Sequence, residues 1–312
     1  MGASNNQPLL SVRGTTRVVG VFGWPVAHSL SPPMHNAAFA ALAMDWIYLP
    51  FPVRPEDLGR AVQSLSALGI VGVNLTIPHK ERVLPFLDEI TEEARLIGAV
   101  NTVHCVEGRL IGDNTDGRGF YEPLRVSGIP VHGQSVVVFG AGGAARAVVF
   151  QLVRQGARVL LVNRTRERAE RLAQDVYRAG FPGECVRVIA LEDTGALVRA
   201  IHNAMLLVHT TRAGMHPDSD ALPPIPLEAL HRDLLVYDLV YNPMDTRLLQ
   251  EARRRGCAVL TGVQMLVYQG AIAFQRWTGQ WPPTPIMEQT VLQMLGQPMS
   301  GQEEEGGSAA AR

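Results

Sequence analysis

Lysine is nearly missing from this chain. Of its 28 basic residues, 27 are arginine and one, Lys80, is lysine. A solvent-facing ammonium is replaced by a guanidinium at little cost, so the position that keeps lysine calls for a reason. Arginine holds its proton at any workable pH, whereas a partly buried lysine can lower its pKa and exchange a proton with a substrate. Lys80 is therefore the first candidate for chemistry, with chance survival as the competing reading. Cysteine is also scarce: Cys105, Cys185 and Cys257 lie far apart with no C-x-x-C. That excludes a disulfide framework, argues against structural zinc, and leaves them as small buried apolar residues. Charge of one sign is absent as well, because the formal net charge is -1 and charged residues make up 18% of the chain. Nothing is available to neutralise a phosphate backbone, so nucleic acid is not an expected partner. No apolar run approaches the roughly 20 residues of a membrane span, and no basic flank precedes an apolar segment at the N-terminus. A soluble, cytoplasmic protein without a membrane partner is expected.

What is present is apolar substance in quantity: 46% of 312 residues, about twice the roughly 150 of a typical domain. Residues 1–16 and 298–312 are polar and are expected to be disordered tails. Between them, short strand-like runs (VVGVFG, WIYLPF, GIVGVNLTI) alternate with helical patterns. That alternation predicts α/β architecture with a parallel sheet. A second series starts near residue 134 with SVVVFG, a Gly-rich turn and a helix, and continues through ARVLLVN, VRVIAL, AMLLVHT and LLVYDLV. The sharpest internal change comes near residue 120, where GRGFYEPLRVSGIPVHGQ reads as a helix, a loop and then a fresh strand, and the first domain boundary is expected there. After the turn at Gly262 the pattern is helical to the end, and these helices are expected to pack back on the first domain.

Gly140, Gly142 and Ala145, with Ala141, Gly143 and Ala144 between them, satisfy G-x-G-x-x-G/A directly after a strand and at the start of a helix. The first glycine permits the tight turn, the second lets backbone approach a pyrophosphate, and the third small residue lets helix and strand pack closely. A dinucleotide site is expected there, a plain glycine turn being the alternative. About 20 residues on, where an NAD protein usually presents Asp or Glu to the ribose 2′-hydroxyl, the chain reads Asn163-Arg164-Thr165-Arg166, then Arg168. With no carboxylate to repel a 2′-phosphate and several guanidinium groups to receive one, NADP is expected over NAD. Arg166 or Arg168 can equally belong to a solvated helix face.

In NLTIPHK, Asn74 and Thr76 share a face of an extended chain, and Lys80 follows the turn at Pro78. Amide, hydroxyl and amine together at a strand end suit a polyhydroxylated substrate. Ser29 and Ser31 repeat the two-residue spacing, although Ser31 before Pro32-Pro33 is also a good helix N-cap. His28, His35 and His79 lack metal-ligand spacing, so no metal is expected. Asn101 in GAVNT and Asp113 and Asp116 in GDNTDG are further candidates. A carboxylate beside Lys80 would polarise the amine and form a pair able to pass one proton, as oxidation of a secondary alcohol requires. Asp116 as a plain helix cap is the alternative.

Taken together, HSLSP, NLTIPHK, GAVNT, DNTDG, GAGGAARA, NRT, YDLVYNP and GVQMLVYQG occur in an order and spacing that resemble shikimate dehydrogenases, over about residues 17–297. The resemblance implies reversible reduction of 3-dehydroshikimate to shikimate with NADPH, a step of aromatic amino-acid biosynthesis. It implies Lys80 and Asp116 as the catalytic pair, and Ser29, Ser31, Asn74, Thr76, Asn101, Tyr241 and Gln269 as substrate contacts. It further implies that residues 140–145, Asn163, Arg164, Thr165 and Arg168 hold NADP, with Gly262 and Met265 near the nicotinamide. On residue pattern alone, Met265 and Gln269 are an ordinary i, i+4 helix face. The chain departs from the family at His209-Thr210-Thr211, where the family usually reads Asn-Ala-Thr; a histidine there can alter a local contact to the cofactor.

The expected architecture is a two-domain α/β protein with its active site in the cleft. Residues 17–121, completed by 263–297, form the substrate domain, and 122–262 form a Rossmann-type doubly wound NADP domain. Quinate/shikimate dehydrogenase of broader specificity and a catalytically silent NADP-binding regulator remain alternatives. A monomer or a homodimer is compatible with net charge near zero.

Overall fold

Residues 12–296 are described in the computed structural model of the chain. The first half runs β1 (Arg17–Gly23), α1 (Ser31–Ala41), β2 (Trp46–Pro52), α2 (Leu58–Ala67), β3 (Ile70–Leu75), α3 (His79–Arg82) and β4 (Glu89–Ile90), then α4 (Glu92–Ile97), β5 (Thr102–Val106) and β6 (Arg109–Asp113). Helix α5 (Asp116–Val126) leads into β7 (Ser135–Phe139), α6 (Gly143–Arg154), β8 (Arg158–Val162), α7 (Arg166–Arg178), β9 (Val186–Ile189) and α8 (Thr194–His202). The chain then forms β10 (Leu206–His209), β11 (Leu235–Asp238), α9 (Arg247–Arg254), β12 (Ala258–Thr261), α10 (Gly262–Thr278) and α11 (Thr284–Gly296). Among the described residues no helix is long and apolar enough to cross a membrane.

The first sheet has the order β2-β1-β3-β5-β6-β4. Strands β1, β2 and β3 are parallel, as alternation with helices predicts, but β5 is antiparallel to both β3 and β6, so this sheet is mixed. The reason is local. Only Glu107-Gly108 separates β5 from β6, both with positive φ, and a two-residue turn of that twist joins antiparallel neighbours. The second sheet, β12-β11-β10-β7-β8-β9, is parallel throughout. Read from the other edge it is the doubly wound order 3-2-1-4-5-6, whose reversal lies between β7 and β10. Alternation along β7 shows why both its faces are covered. Val136 and Val138 pack toward α5, α6 and α7, while Val137 and Phe139 pack toward α8 and α9. In the first sheet Val19 and Val21 face α1, α10 and α11, and Phe22, Val73 and Leu75 face α2.

Within the N-terminal segment expected to be disordered, residues 12–16 have defined places, because the Thr15 and Thr16 hydroxyls each donate to the Asp45 carboxylate at 2.6 Å. Residues 1–11 and 297–312 lie outside the described residues. The sequence change near residue 120 falls inside a continuous helix: α5 runs across 121/122 and packs on both α10 and α6. A buried carboxylate anchors this junction. Asp113, at the end of β6, accepts from the Thr91 hydroxyl at 2.8 Å and pairs with Arg118 of α5 at 2.6 Å and Arg276 of α10 at 2.7 Å. Trp277 fixes the same end of α10 by donating Nε1–H to the Val103 carbonyl at 3.1 Å. Across the junction, Arg146 of α6 donates Nε–H to the Ile97 carbonyl at 2.6 Å.

Burial by itself would raise the Asp113 carboxyl, but Arg118 and Arg276 outweigh it and hold the group below the usual carboxylate range. A depressed folded-state pKa contributes stability above the unfolded value of about 3.9, and that contribution is lost as pH falls through the folded value. Asp113→Asn is expected to cost about 2–3 kcal/mol at neutral pH, since it removes the carboxylate partner of part-buried Arg276 and leaves Arg118 with Glu93 alone. Urea unfolding will check this, with the gap between wild type and variant narrowing as pH falls below the ordinary carboxylate value of about 3.9.

Candidate active site

Lys80 reaches Asp116 because β3 stops at Leu75 and the turn through Pro78 starts α3 one residue before the lysine. Nζ lies 2.6 Å from Asp116 Oδ2, with the lysine side chain 32% exposed and the aspartate 9%. Asp116 is the first residue of α5, and Thr115 precedes it in the cap position without a side-chain cap bond. The carboxylate is thus not spent on capping. Its other oxygen, Oδ1, accepts from Asn101 Nδ2 at 2.8 Å. Asn101 also donates to Thr115 Oγ1 at 2.9 Å, and its Oδ1 accepts the Thr115 N–H at 2.8 Å. One buried amide therefore fixes both the start of α5 and the carboxylate it presents.

The pair borders a cavity of about 210 Å³ between the carboxyl ends of the two sheets. The sequence-predicted Ser29, Ser31, Asn74, Thr76, Lys80, Asn101, Asp116, Tyr241 and Gln269 all line it, together with Ala144, Gly262 and Met265 from the expected cofactor set. Ser31 opens α1, but Leu30 holds the cap position and no side-chain cap bond is made; Ser29 Oγ instead accepts the Ser31 N–H at 3.3 Å. Asn74 is braced by Tyr48, which sequence reasoning missed: the phenol donates to Asn74 Oδ1 at 2.8 Å, while Nδ2 donates to the Asn101 carbonyl and Thr102 Oγ1. Gln269 and Met265 line the cavity because α10 crosses close to α5. A Cβ on Gly119 would lie 2.5 Å from Gln269 Cβ, so glycine sets that approach. Burial pushes the Tyr241 phenol up, keeping it a neutral donor. His35 is stacked on Tyr48 in the core with burial lowering its pKa to about 3, and His79 Nε2 lies 2.8 Å from the Val53 carbonyl.

A second cavity, of about 480 Å³, lies beyond the ends of β7, β8 and β10 and is lined by Gly140, Asn163 and Arg164. Gly140 has φ +120, and a Cβ there would meet Thr210 Oγ1 at 2.1 Å, so the turn accepts only glycine. At Gly142 and Gly143 an added Cβ meets nothing within 4 Å, and α6 starts there with no side-chain cap. Free helix-start N–H groups beside open space fit the phosphates of a dinucleotide, and no carboxylate lines the cavity that begins at Gly140. Ala145 is fully buried and supplies close packing of α6 on the sheet. Ala141, Gly142, Gly143, Thr165 and Arg168 do not line this cavity, and Arg166 pairs with Glu170 at 2.7 Å as a solvated helix face does.

Three family models match: the shikimate dehydrogenase substrate binding domain over residues 21–103, shikimate/quinate 5-dehydrogenase over 125–213, and the shikimate 5′-dehydrogenase C-terminal domain over 262–292. A shikimate dehydrogenase (NADP(+)) of Methanopyrus kandleri is 49% identical over 92% of this chain and 98% of its own. The chain belongs to the shikimate dehydrogenase family. A crystal structure of a shikimate dehydrogenase in complex with NADP+ superposes with TM-score 0.87 at 39% identity, covering 92% of this chain and 98% of its own. That of Thermus thermophilus shikimate 5-dehydrogenase, in complex with NADP(H) and shikimate, gives TM-score 0.79 at 42% identity over 89% of this chain and 99% of its own.

In this member of the shikimate dehydrogenase family, the histidine found where the family usually has asparagine does not face a cavity. His209 is fully buried at the end of β10, with Nδ1 2.8 Å from Asp238 Oδ1 and Nε2 2.5 Å from Thr211 Oγ1. Since a carboxylate only accepts, Nδ1–H is the donor, and a neutral ring then accepts the Thr211 hydroxyl at Nε2. Asp238 is completed by the Thr246 hydroxyl at 2.6 Å and the Val240 N–H at 3.1 Å. His209 thereby braces Thr211, which lines the second cavity with Arg212, Ala213 and Leu222–Pro224. Sequence reasoning marked Thr211 only through the departure at His209 and missed Arg212, Ala213 and Leu222–Pro224, for which the one signal is the Pro-rich stretch ALPPIP. His209→Ala is expected to cost about 3 kcal/mol of stability in urea unfolding, by removing a bond to a buried carboxylate and opening a void. His209→Asn, which keeps a donor, should cost less.

Proposed function

We propose that the chain catalyses the reversible, NADPH-dependent reduction of 3-dehydroshikimate to shikimate. The observation that carries this reading is the Lys80–Asp116 contact of 2.6 Å beside a cavity between the two sheets into which several hydroxyl and amide side chains converge. The named relatives act with NADP(+), and the arginine-bearing second cavity suits the same cofactor.

When bound, NADP supplies the carbon that accepts or returns hydride. In the oxidation direction the Lys80–Asp116 pair takes the hydroxyl proton as the C–H bond breaks and the carbonyl forms; in reduction it returns that proton to the carbonyl oxygen. Asn101 holds the carboxylate so that Lys80 stays aimed at the reacting oxygen. Ser29, Ser31, Thr76, Tyr241 and Gln269 offer hydroxyl and amide groups to the substrate's hydroxyls and carboxylate. Asn74, with both amide hydrogens engaged, has acceptor capacity left at Oδ1. Gly140–Ala144, Asn163, Arg164, Thr165 and Arg168 hold the nucleotide, with buried Ala145 letting α6 pack close behind the turn and Gly262 and Met265 at the nicotinamide end. In this reading 17–121 with 263–297 binds substrate, 122–262 binds NADP, and the enzyme works in the cytoplasm as a monomer or homodimer.

Initial rates at the reduced-nicotinamide absorbance, with shikimate or quinate crossed against NADP or NAD, test the reading. Turnover is expected with shikimate and NADP. Preference for quinate and NAD would move the chain to a different alcohol, and nucleotide binding without turnover in all four mixtures would make it a binding protein. Lys80→Arg keeps the positive charge but loses the proton shuttle, and is expected to lower kcat by about 10²-fold or more. Because Lys80 is the chain's one lysine, trinitrobenzenesulfonate has a single side-chain amine to modify. Inactivation should follow that modification and be slowed by shikimate; full activity after complete labelling of Lys80 would remove it from the mechanism.

A further inference from the structure

We propose that Arg212 is a specificity-determining residue for the cofactor, binding the adenosine 2′-phosphate of NADP from the side of the cavity opposite Arg164. The inference rests on the NADP reading above and adds a residue that the Asn163–Arg168 segment does not contain. In the sheet order β10-β7-β8, the turns after β8 and β10 flank the glycine turn after β7. Arg164 stands on the first of these turns and Arg212 on the second, and both line the same cavity.

Three observations give Arg212 this role. No aspartate or glutamate lines the cavity, and among the described residues neither guanidinium makes an ion pair or a side-chain hydrogen bond, so their charges are not neutralised by the protein. A phosphomonoester carries close to two negative charges, which two guanidinium groups match where one does not. Arg212 also stands on a braced turn. The Met215 N–H donates to the Arg212 carbonyl at 3.0 Å, the Ala213 N–H donates to Thr211 Oγ1 at 3.3 Å, and Thr211 is held by the buried His209. The turn is thus positioned before any nucleotide arrives, while the arginine side chain itself is exposed and removable without opening the core.

The test compares Arg212→Gln, Arg164→Gln and wild type by calorimetric titration with 2′,5′-ADP and with 5′-ADP, which needs no turnover, and by KM for NADP and NAD. For Arg212→Gln, Kd for 2′,5′-ADP and KM for NADP should rise about tenfold or more, with 5′-ADP and NAD little changed. Arg212→Lys, which keeps charge but not the planar fork, should fall between. Equal weakening of the 2′-phosphorylated and unphosphorylated ligands would place Arg212 on the adenine or pyrophosphate and overturn the proposal, as would no change in either. If Arg164→Gln shifts the NADP to NAD ratio while Arg212→Gln does not, only the role of Arg212 fails. If neither shifts it, the NADP reading of this cavity fails with it.

Discussion

The Asp116 carboxylate is held from two sides, by Lys80 at 2.6 Å and by Asn101 at 2.8 Å, and the three residues come from three separate segments. Lys80 follows the end of β3, Asn101 precedes β5, and Asp116 opens the helix that leads to the second sheet. A carboxylate on a side chain only 9% exposed is tolerated because each oxygen is hydrogen-bonded; unpaired, it would be costly at that depth. The same contacts therefore serve structure and chemistry. Moving α5 would separate the amine from its carboxylate and at once unpair a buried charge.

That constraint accounts for how much of the molecule converges on α5. Helix α10 crosses it closely enough that Gly119 has no room for a side chain, which brings Gln269 within 3.4 Å of Asn101. Arg118 of α5 and Arg276 of α10 meet on Asp113, and α6 packs on the opposite side. A continuous helix shared by both halves keeps the amine and the glycine turn in one frame. The reacting carbon of a substrate and that of a nicotinamide have to meet within such a frame, because hydride transfer tolerates little misplacement.

Much of this was legible from particular residues. The alternation of β7, with valines facing both ways, marks a strand covered on both faces, and the glycines after it mark the turn where a Cβ at 140 would strike Thr210. Lys80 stood out by arginine's prevalence elsewhere. The mixed character of the first sheet was hidden in Glu107-Gly108, a two-residue signal weaker than the repeating helix–strand pattern around it. The change of composition near residue 120 did not coincide with a break in the backbone. The helix there was legible, but both its faces are covered, by α10 on one side and α6 on the other, and local composition does not show that a helix is shared by two halves.

The sequence by itself determined the elements that depend on neighbours in the chain: the strand period, the glycine turn with its helix start, and the identities of the amine and the carboxylate. Tertiary structure decided what depends on residues distant in sequence. It brought Asp116 to Lys80 rather than leaving it as a cap, and turned one face of α10 toward the cavity. It also buried His209 against Asp238 and brought Arg212 and Arg164 to the same cavity. The physical reason is range. Backbone conformation and period are set by contacts a few residues apart, whereas the pairing of buried polar groups is settled only when packing removes water and leaves each donor one available acceptor.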